Sequence, residues 1–170
     1  MMFRKTVFFL LIAAVLFSAQ LSFAEKLQLK FDERSWHLGY NAQDESQGLR
    51  EYVLKGETVE NWGELITAQA FFGLQKKVNA DAYASSMLMT LKKACPDLVW
   101  KSISKASDDI LMEWEIKDCP GQPDQYEVDR IISGSEAVYV IHYATKRLPV
   151  SDEMRSKWLD IMSKVKLLKS

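Results

Sequence analysis

The chain has 170 residues, of which 22 are Lys or Arg and 23 are Asp or Glu, giving a formal net charge of −1. This balance excludes the concentrated positive charge on which nucleic-acid binding depends. The length is sufficient for one domain with a sizeable core.

Residues 1–24 have the three parts of a secretory signal peptide. A basic start precedes an unbroken apolar run, and the small residues Ser22 and Ala24 occupy positions −3 and −1 of a cleavage site. The apolar run, about 11 residues, is shorter than the roughly 20 that a membrane-spanning helix needs. We therefore predict cleavage after Ala24, export to the periplasm or the medium, and a single globular domain over residues 25–170 with no retained membrane span.

The mature chain begins with alternating apolar and polar residues, which predicts three strands, near 27–31, 36–40 and 49–54. Thr58 is then a candidate N-cap for a helix that carries Val59, Trp62, Ile66 and Ala70 on one face. Gly73 is expected to end this helix.

A second helix is predicted from Asn79, its N-cap, to the residue before Pro96. Four strands follow, near 98–105, 110–116, 126–132 and 137–145, and a last helix starts at Ser151 and extends to Leu168. The order β-β-β-α-α-β-β-β-β-α predicts an α+β fold, in which a single antiparallel sheet has helices packed on its faces.

Cys95 and Cys119 are the two cysteines of the chain. In an exported protein such a pair most simply forms one disulfide. The ring of about 25 residues would stabilise the fold by roughly 3.5 kcal/mol on the chain-entropy model. The spacing is not the C-x-x-C of a redox-active pair, which favours a structural bond.

A local motif adds a resemblance to known proteins. Residues 51–65 read EYVLKGETVENWGEL and residues 36–40 read WHLGY. This stretch resembles one in small uncharacterised exported proteins of Gram-negative bacteria. The order of elements resembles the Mog1/PsbP-like fold of PsbP-type and DcrB-type proteins. The resemblance implies that fold but no defined activity, so it assigns no functional residue.

The same motif contains the candidate binding residues Glu57, Asn61, Trp62 and Glu64. They form either an aromatic platform rimmed by carboxylates or a structural helix start, in which Trp62 anchors the helix and polar groups satisfy free N–H groups. Both interpretations stay open on the sequence alone.

The two histidines, His37 and His142, lie in separate predicted strands, and nothing in their spacing indicates that they meet. The chain also lacks the G-x-S-x-G elbow of a serine hydrolase. We therefore predict no catalytic residue, no metal site and no cofactor.

The preferred function is a non-enzymatic binding or accessory module whose partner is an unknown protein or an envelope or extracellular ligand. Two alternatives remain: a small secreted hydrolase or effector enzyme with an unrecognised site, and a structural subunit of an envelope complex.

Overall fold

The computed structural model describes residues 25–169, so the predicted signal peptide, residues 1–24, lies outside the described residues. Neither α-helix in the described range is long and apolar enough to cross a membrane. Besides a short 3-10 helix (Leu74–Lys76), the elements in chain order are β1 (Glu25–Gln28), β2 (Trp36–Gln43), β3 (Gln47–Leu54), β4 (Glu64–Phe72), α1 (Ala80–Ala94), β5 (Val99–Lys105), β6 (Asp109–Ile116), β7 (Gln125–Ser133), β8 (Ala137–Thr145), α2 (Asp152–Ser163) and β9 (Lys166–Lys169).

Seven of the strands form one antiparallel sheet in the order β2-β3-β4-β8-β7-β6-β5. It consists of two meanders, β2–β4 and β5–β8, which join where β8 pairs with β4 along nine residues. The strands β1 and β9, from the two ends of the described chain, pair as a separate two-stranded sheet.

The predicted α+β fold class is wrong, because the structure is mostly β. Four strands and then the single helix α1 replace the predicted three strands and two helices. The region predicted as the first helix contains β4. Apolar side chains of β4 occupy both sides, with Ile66 and Ala70 on one and Leu65 and Phe71 on the other. Such a run fits helical spacing as well as strand alternation. The segment is a strand because it pairs with β3 on one side and with β8 on the other.

The prediction of a single sheet is also wrong. The last helix ends at Ser163, and the residues expected to continue it form β9, which pairs with β1. Leu167 of β9 and Leu27 of β1 pack against the core beneath α2. This pairing joins segments about as far apart as the described chain allows, so no local pattern indicates it.

The caps of both helices are confirmed. The side chain of Asn79 accepts a hydrogen bond from the backbone N–H of Ala82 at the start of α1, at 2.9 Å. The hydroxyl of Ser151 accepts one from the N–H of Met154 at the start of α2, at 3.2 Å. Each bond satisfies one of the free donors of a helix N-terminus.

The sheet has two faces, named here after the helices that cover them. On the α1 face, α1 packs against residues of β6–β8, the largest being Met112, Trp114, Ile116 and Ile131. On the α2 face, the core under α2 includes Val128, Ile141, Tyr143, Trp158 and Met162.

The disulfide between Cys95 and Cys119 is confirmed. Cys95 directly follows α1 as its C-cap, and Cys119 lies between β6 and β7. The bond therefore fastens the end of α1 to the sheet it covers.

The α2 face also buries two carboxylates, and each is held by arginine. Glu64, at the start of β4, has no exposed surface. Its two oxygens accept from the two terminal nitrogens of Arg34, at 2.7 and 2.8 Å, and one also accepts from the Tyr143 hydroxyl at 2.7 Å. Burial by itself raises the pKa of Glu64, but the bonds from Arg34 and Tyr143 lower it below the ordinary value.

Glu113 of β6 is the second of these carboxylates. It accepts two hydrogen bonds from Arg155 of α2, at 2.7 and 2.5 Å, and one from the Tyr126 hydroxyl at 2.7 Å. Helix α2 covers the face of β6 that carries Glu113, and its Arg155 supplies the counter-charge that a buried carboxylate requires.

Candidate functional site

The four candidate binding residues lie in the loop between β3 and β4 and at the start of β4. Glu57 holds this loop together, since its carboxylate accepts from the backbone N–H of Gly63 at 2.9 Å and pairs with Arg147 at 3.1 Å. Arg147 also reaches Glu64, at 3.1 Å. The structure thus brings Glu57 and Glu64 together on one arginine.

Trp62 is half-buried rather than a free platform. It packs against a small core cluster of Val53, Leu65 and Ala144, and the Lys146 ammonium lies 3.8 Å from the centre of its ring. Asn61 is exposed in the turn, where its backbone N–H donates to Thr58. Ligand binding by these residues stays a prediction.

The two histidines do not meet. His37 is exposed on the edge strand β2, and His142 lies on β8, three strands away in the sheet. At about 4.8 Å per strand, that separation is roughly 14 Å. Any site at His142 must therefore be completed by other residue types.

Two carboxylates of β7 complete a polar group around His142, named here the acid–histidine cluster (Glu127, Asp129, His142). The Nδ1 atom of His142 lies 2.8 Å from Oδ1 of Asp129 and 3.3 Å from Oε2 of Glu127. Asp129 is fully buried, whereas the side chains of His142 and Glu127 retain 19% and 12% exposure. The cluster lies on the α1 face, and solvent reaches it in part.

The register of one hairpin builds this cluster. Glu127 and Asp129 alternate along β7 and so point to the same face, and the hairpin between β7 and β8 pairs Asp129 with His142. Both carboxylates were missed in the sequence, where only the spacing of the two histidines was weighed. Two acids at i and i+2, opposite a histidine across a predicted hairpin, are the signal that could have found them.

Outer hydrogen bonds fix the two carboxylates. The indole N–H of Trp114 donates to Oδ2 of Asp129 at 2.7 Å, and the Gln125 amide donates to Oε1 of Glu127 at 3.0 Å. In each carboxylate the oxygen that faces His142 is therefore the one not used by these neutral donors.

The electrostatics of the cluster favour a charged imidazole. Burial by itself would lower the pKa of His142, but Asp129 and Glu127 together raise it to about 10. Burial and the charge of Asp129 raise the pKa of Glu127 to about 7. The hydrogen bond from His142 lowers the pKa and so offsets this rise only in part. The raised pKa favours the imidazolium form of His142, and an imidazolium has no lone pair with which to accept a proton.

A second feature lies on the α2 face, between β1 and the strands β2–β4. It is a groove of about 500 Å³, named here the β1 groove. Most of its lining is apolar, and its polar side chains come from β1, β2, β3 and β4. The lining residues are Glu25, Lys26, Leu27, Asn41, Ala42, Gln43, Gly48, Leu49, Arg50, Ala68, Gln69, Ala70, Phe72 and Tyr139.

Small residues create the β1 groove. Gly48 pairs with Ala70 and Arg50 pairs with Ala68 across β3 and β4, so the sheet surface there has few atoms above the backbone. The end of the same face toward Trp36 and Tyr52 is filled instead by a core of large side chains. The groove is therefore an opening in an otherwise covered face.

No family model, no curated protein and no solved structure matches this chain.

Proposed function

We propose that the protein is an exported, non-enzymatic binding protein whose ligand is an apolar molecule with one anionic group, held in the β1 groove. The groove is the observation that carries this proposal. Its volume of about 500 Å³ falls in the range of small-molecule sites, which are mostly apolar with a few placed polar groups. The signal-peptide pattern and the disulfide support export, because disulfides persist in oxidising compartments.

The apolar part of the ligand is expected to lie on the small side chains of β4. Ala68 and Ala70 form the floor there, with Leu27 of β1 and Tyr139 of β8 at its sides. Burying an apolar chain on this surface is favourable by about 25 cal/mol per Å² removed from water.

The charge of the lining favours an anion. Arg50 and Lys26 line the groove, and neither forms an ion pair within residues 25–169. Within the same residues, the Arg50 guanidinium forms one hydrogen bond, to Asn41 at 3.4 Å. The two cations outnumber the one acid in the lining, Glu25, whose carboxylate accepts from the backbone N–H of Ser135 at 2.8 Å. The positive charge of the groove is therefore available to a ligand.

The location of the groove also favours binding over catalysis. Its lining contains no histidine, and the acid–histidine cluster lies on the opposite face of the sheet. The enzymatic alternative would require the reacting groups and the substrate site to lie together.

Calorimetry with three probes that share one alkyl chain tests the proposal: dodecanoate, dodecanol and dodecyltrimethylammonium. We expect dodecanoate to bind at least about tenfold more tightly than the cationic probe, since Arg50 can form a charge-assisted bond only with the anion. Equal affinity for the three head groups, or no binding of dodecanoate, would contradict the proposed ligand class.

Two pairs of variants locate the binding site. Ala68→Trp fills the groove and is expected to abolish dodecanoate binding, whereas Ala82→Trp, at an exposed position of α1, should leave it unchanged. Arg50→Glu should weaken binding at least about tenfold, and Lys93→Glu, an equal charge change on α1, should not. Binding that survives Ala68→Trp would place the ligand elsewhere.

A further inference from the structure

We propose that the acid–histidine cluster binds a divalent transition-metal ion, with zinc as the best fit. This inference is independent of the β1 groove, which lies on the other face. One donor atom from each residue (Nδ1 of His142, Oδ1 of Asp129 and Oε2 of Glu127) lies within 4.8 Å of the other two.

One of the separations between these atoms equals that of a zinc site, and a second is about 0.5 Å shorter. With Zn–N and Zn–O bonds of about 2.0–2.2 Å, tetrahedral ligands lie about 3.3–3.5 Å apart. Nδ1 of His142 lies 3.3 Å from Glu127 and 2.8 Å from Asp129. An ion among the three atoms therefore requires only small movements of the side chains.

The carboxylates are already oriented for an ion. Trp114 and Gln125 hold their outer oxygens at 2.7 and 3.0 Å, which leaves one oxygen of each carboxylate facing His142. Hydrogen bonds of this kind to the non-coordinating atoms of ligands orient metal sites and tune their affinity.

The charge count of the cluster also favours a cation. Glu127 and Asp129 form no ion pair with any Lys or Arg of the described chain, so a single imidazole faces two acids. A divalent ion would balance both carboxylates and leave His142 as a neutral ligand, which is the form of histidine that binds metals.

Thr67 lies beside the cluster and is 9% exposed. It pairs with His142 across β4 and β8, so the two side chains share a face at about 5 Å. A water in the fourth coordination position of the ion could hydrogen-bond to the Thr67 hydroxyl.

The donor set selects the class of metal. Imidazole with two carboxylates suits zinc, cobalt and nickel, whereas calcium and magnesium prefer all-oxygen sites and copper(I) prefers sulfur. Three protein ligands plus water is the arrangement of zinc sites with an open position.

The experiment titrates the metal-free protein, prepared without a polyhistidine tag, with Zn²⁺ by calorimetry and with Co²⁺ by visible absorption. We expect one equivalent of Zn²⁺ to bind and to raise the unfolding temperature. We expect Co²⁺ to give the intense absorption bands of a tetrahedral site. No binding of either ion would overturn the proposal.

Variants assign the site. His142→Ala and Glu127→Gln should each weaken Zn²⁺ binding by about 100-fold or more, because loss of a ligand exceeds the 10- to 100-fold effect of an outer partner. His37→Ala, which removes the other described histidine, should bind as the wild type does. Glu127 is partly exposed, so its variant tests the site even if His142→Ala fails to fold. Equal Zn²⁺ affinity in Glu127→Gln and wild type would show that the cluster is only an internal ion pair.

Discussion

The two faces of the sheet both bury carboxylates, but they neutralise them differently. On the α2 face, Glu64 is saturated by Arg34, Arg147 and Tyr143, and Glu113 by Arg155 and Tyr126. On the α1 face, Asp129 and Glu127 share one imidazole, and their other donors among residues 25–169 are neutral.

This difference in counter-charge indicates a structural role for the carboxylates of the α2 face and a chemical role for those of the α1 face. A guanidinium stays charged at any accessible pH and binds a carboxylate through two parallel bonds, so an arginine pair holds elements together with little freedom to exchange partners. An imidazole can release its proton and bind a metal instead. We therefore expect the α2 face to respond to mutation as a scaffold and the α1 face to respond to pH and to metal ions.

The largest expected effect is at the scaffold. Glu64→Gln removes the charge that Arg34 needs while keeping the shape of the side chain, and breaking a buried pair on one side costs about 3–5 kcal/mol. Urea unfolding followed by tryptophan fluorescence measures the loss. As a control, Asp160→Asn breaks the exposed pair with Lys164 and should cost less than about 0.5 kcal/mol. Similar losses in the two variants would show that the Glu64 network is not a scaffold.

A somewhat smaller effect is expected at the covalent link of α1. Replacing both Cys95 and Cys119 by Ala should lower the free energy of unfolding by about 2–4 kcal/mol, because the unfolded chain gains conformational freedom. Chemical denaturation of the double variant checks this. Reductant should destabilise the wild type by a similar amount and leave the variant unchanged. An unchanged unfolding midpoint in both tests would show that the disulfide does not stabilise the fold.

The smallest effect is a difference in pH dependence between the faces. The folded pKa of Glu64 lies below 4.5, so its stabilisation is present above that pH and is lost as the pH falls through the lowered value. The pKa of His142 is raised from 6.5 to about 10, so its stabilisation is complete below 6.5 and is lost as the pH rises through about 10.

Unfolding midpoints of the metal-free protein, measured from about pH 3 to 10 for wild type, Glu64→Gln and His142→Gln, test this difference. We expect Glu64→Gln to flatten the loss of stability in acid and His142→Gln to flatten the loss in alkali, with changes of about 1–2 kcal/mol. Parallel curves for the wild type and His142→Gln would contradict a charged His142 at neutral pH.

Local patterns in the sequence predicted part of this structure. The hairpins of β5–β8 follow from alternation between turn residues, and the starts of α1 and α2 follow from Asn79 and Ser151. The first helix was wrong because β4 is apolar on both faces, and periodicity cannot separate such a strand from a helix. The β1–β9 sheet was missed because its two strands lie at opposite ends of the described chain, so no local pattern links them.

The candidate site was likewise predicted only in part from the sequence. The sequence predicted a strand that contains His142, but the acids that oppose this histidine emerge only from the register that the β7–β8 hairpin imposes. The sequence by itself determined the helix caps, the four-strand meander and the pairing of Cys95 with Cys119, since these depend on neighbours in the chain or on composition. Tertiary structure alone decided that β4 is a strand, that Arg34 reaches Glu64, and that Thr67 lies beside the acid–histidine cluster. These contacts join distant segments, and their energies arise only when the sheet brings the segments together.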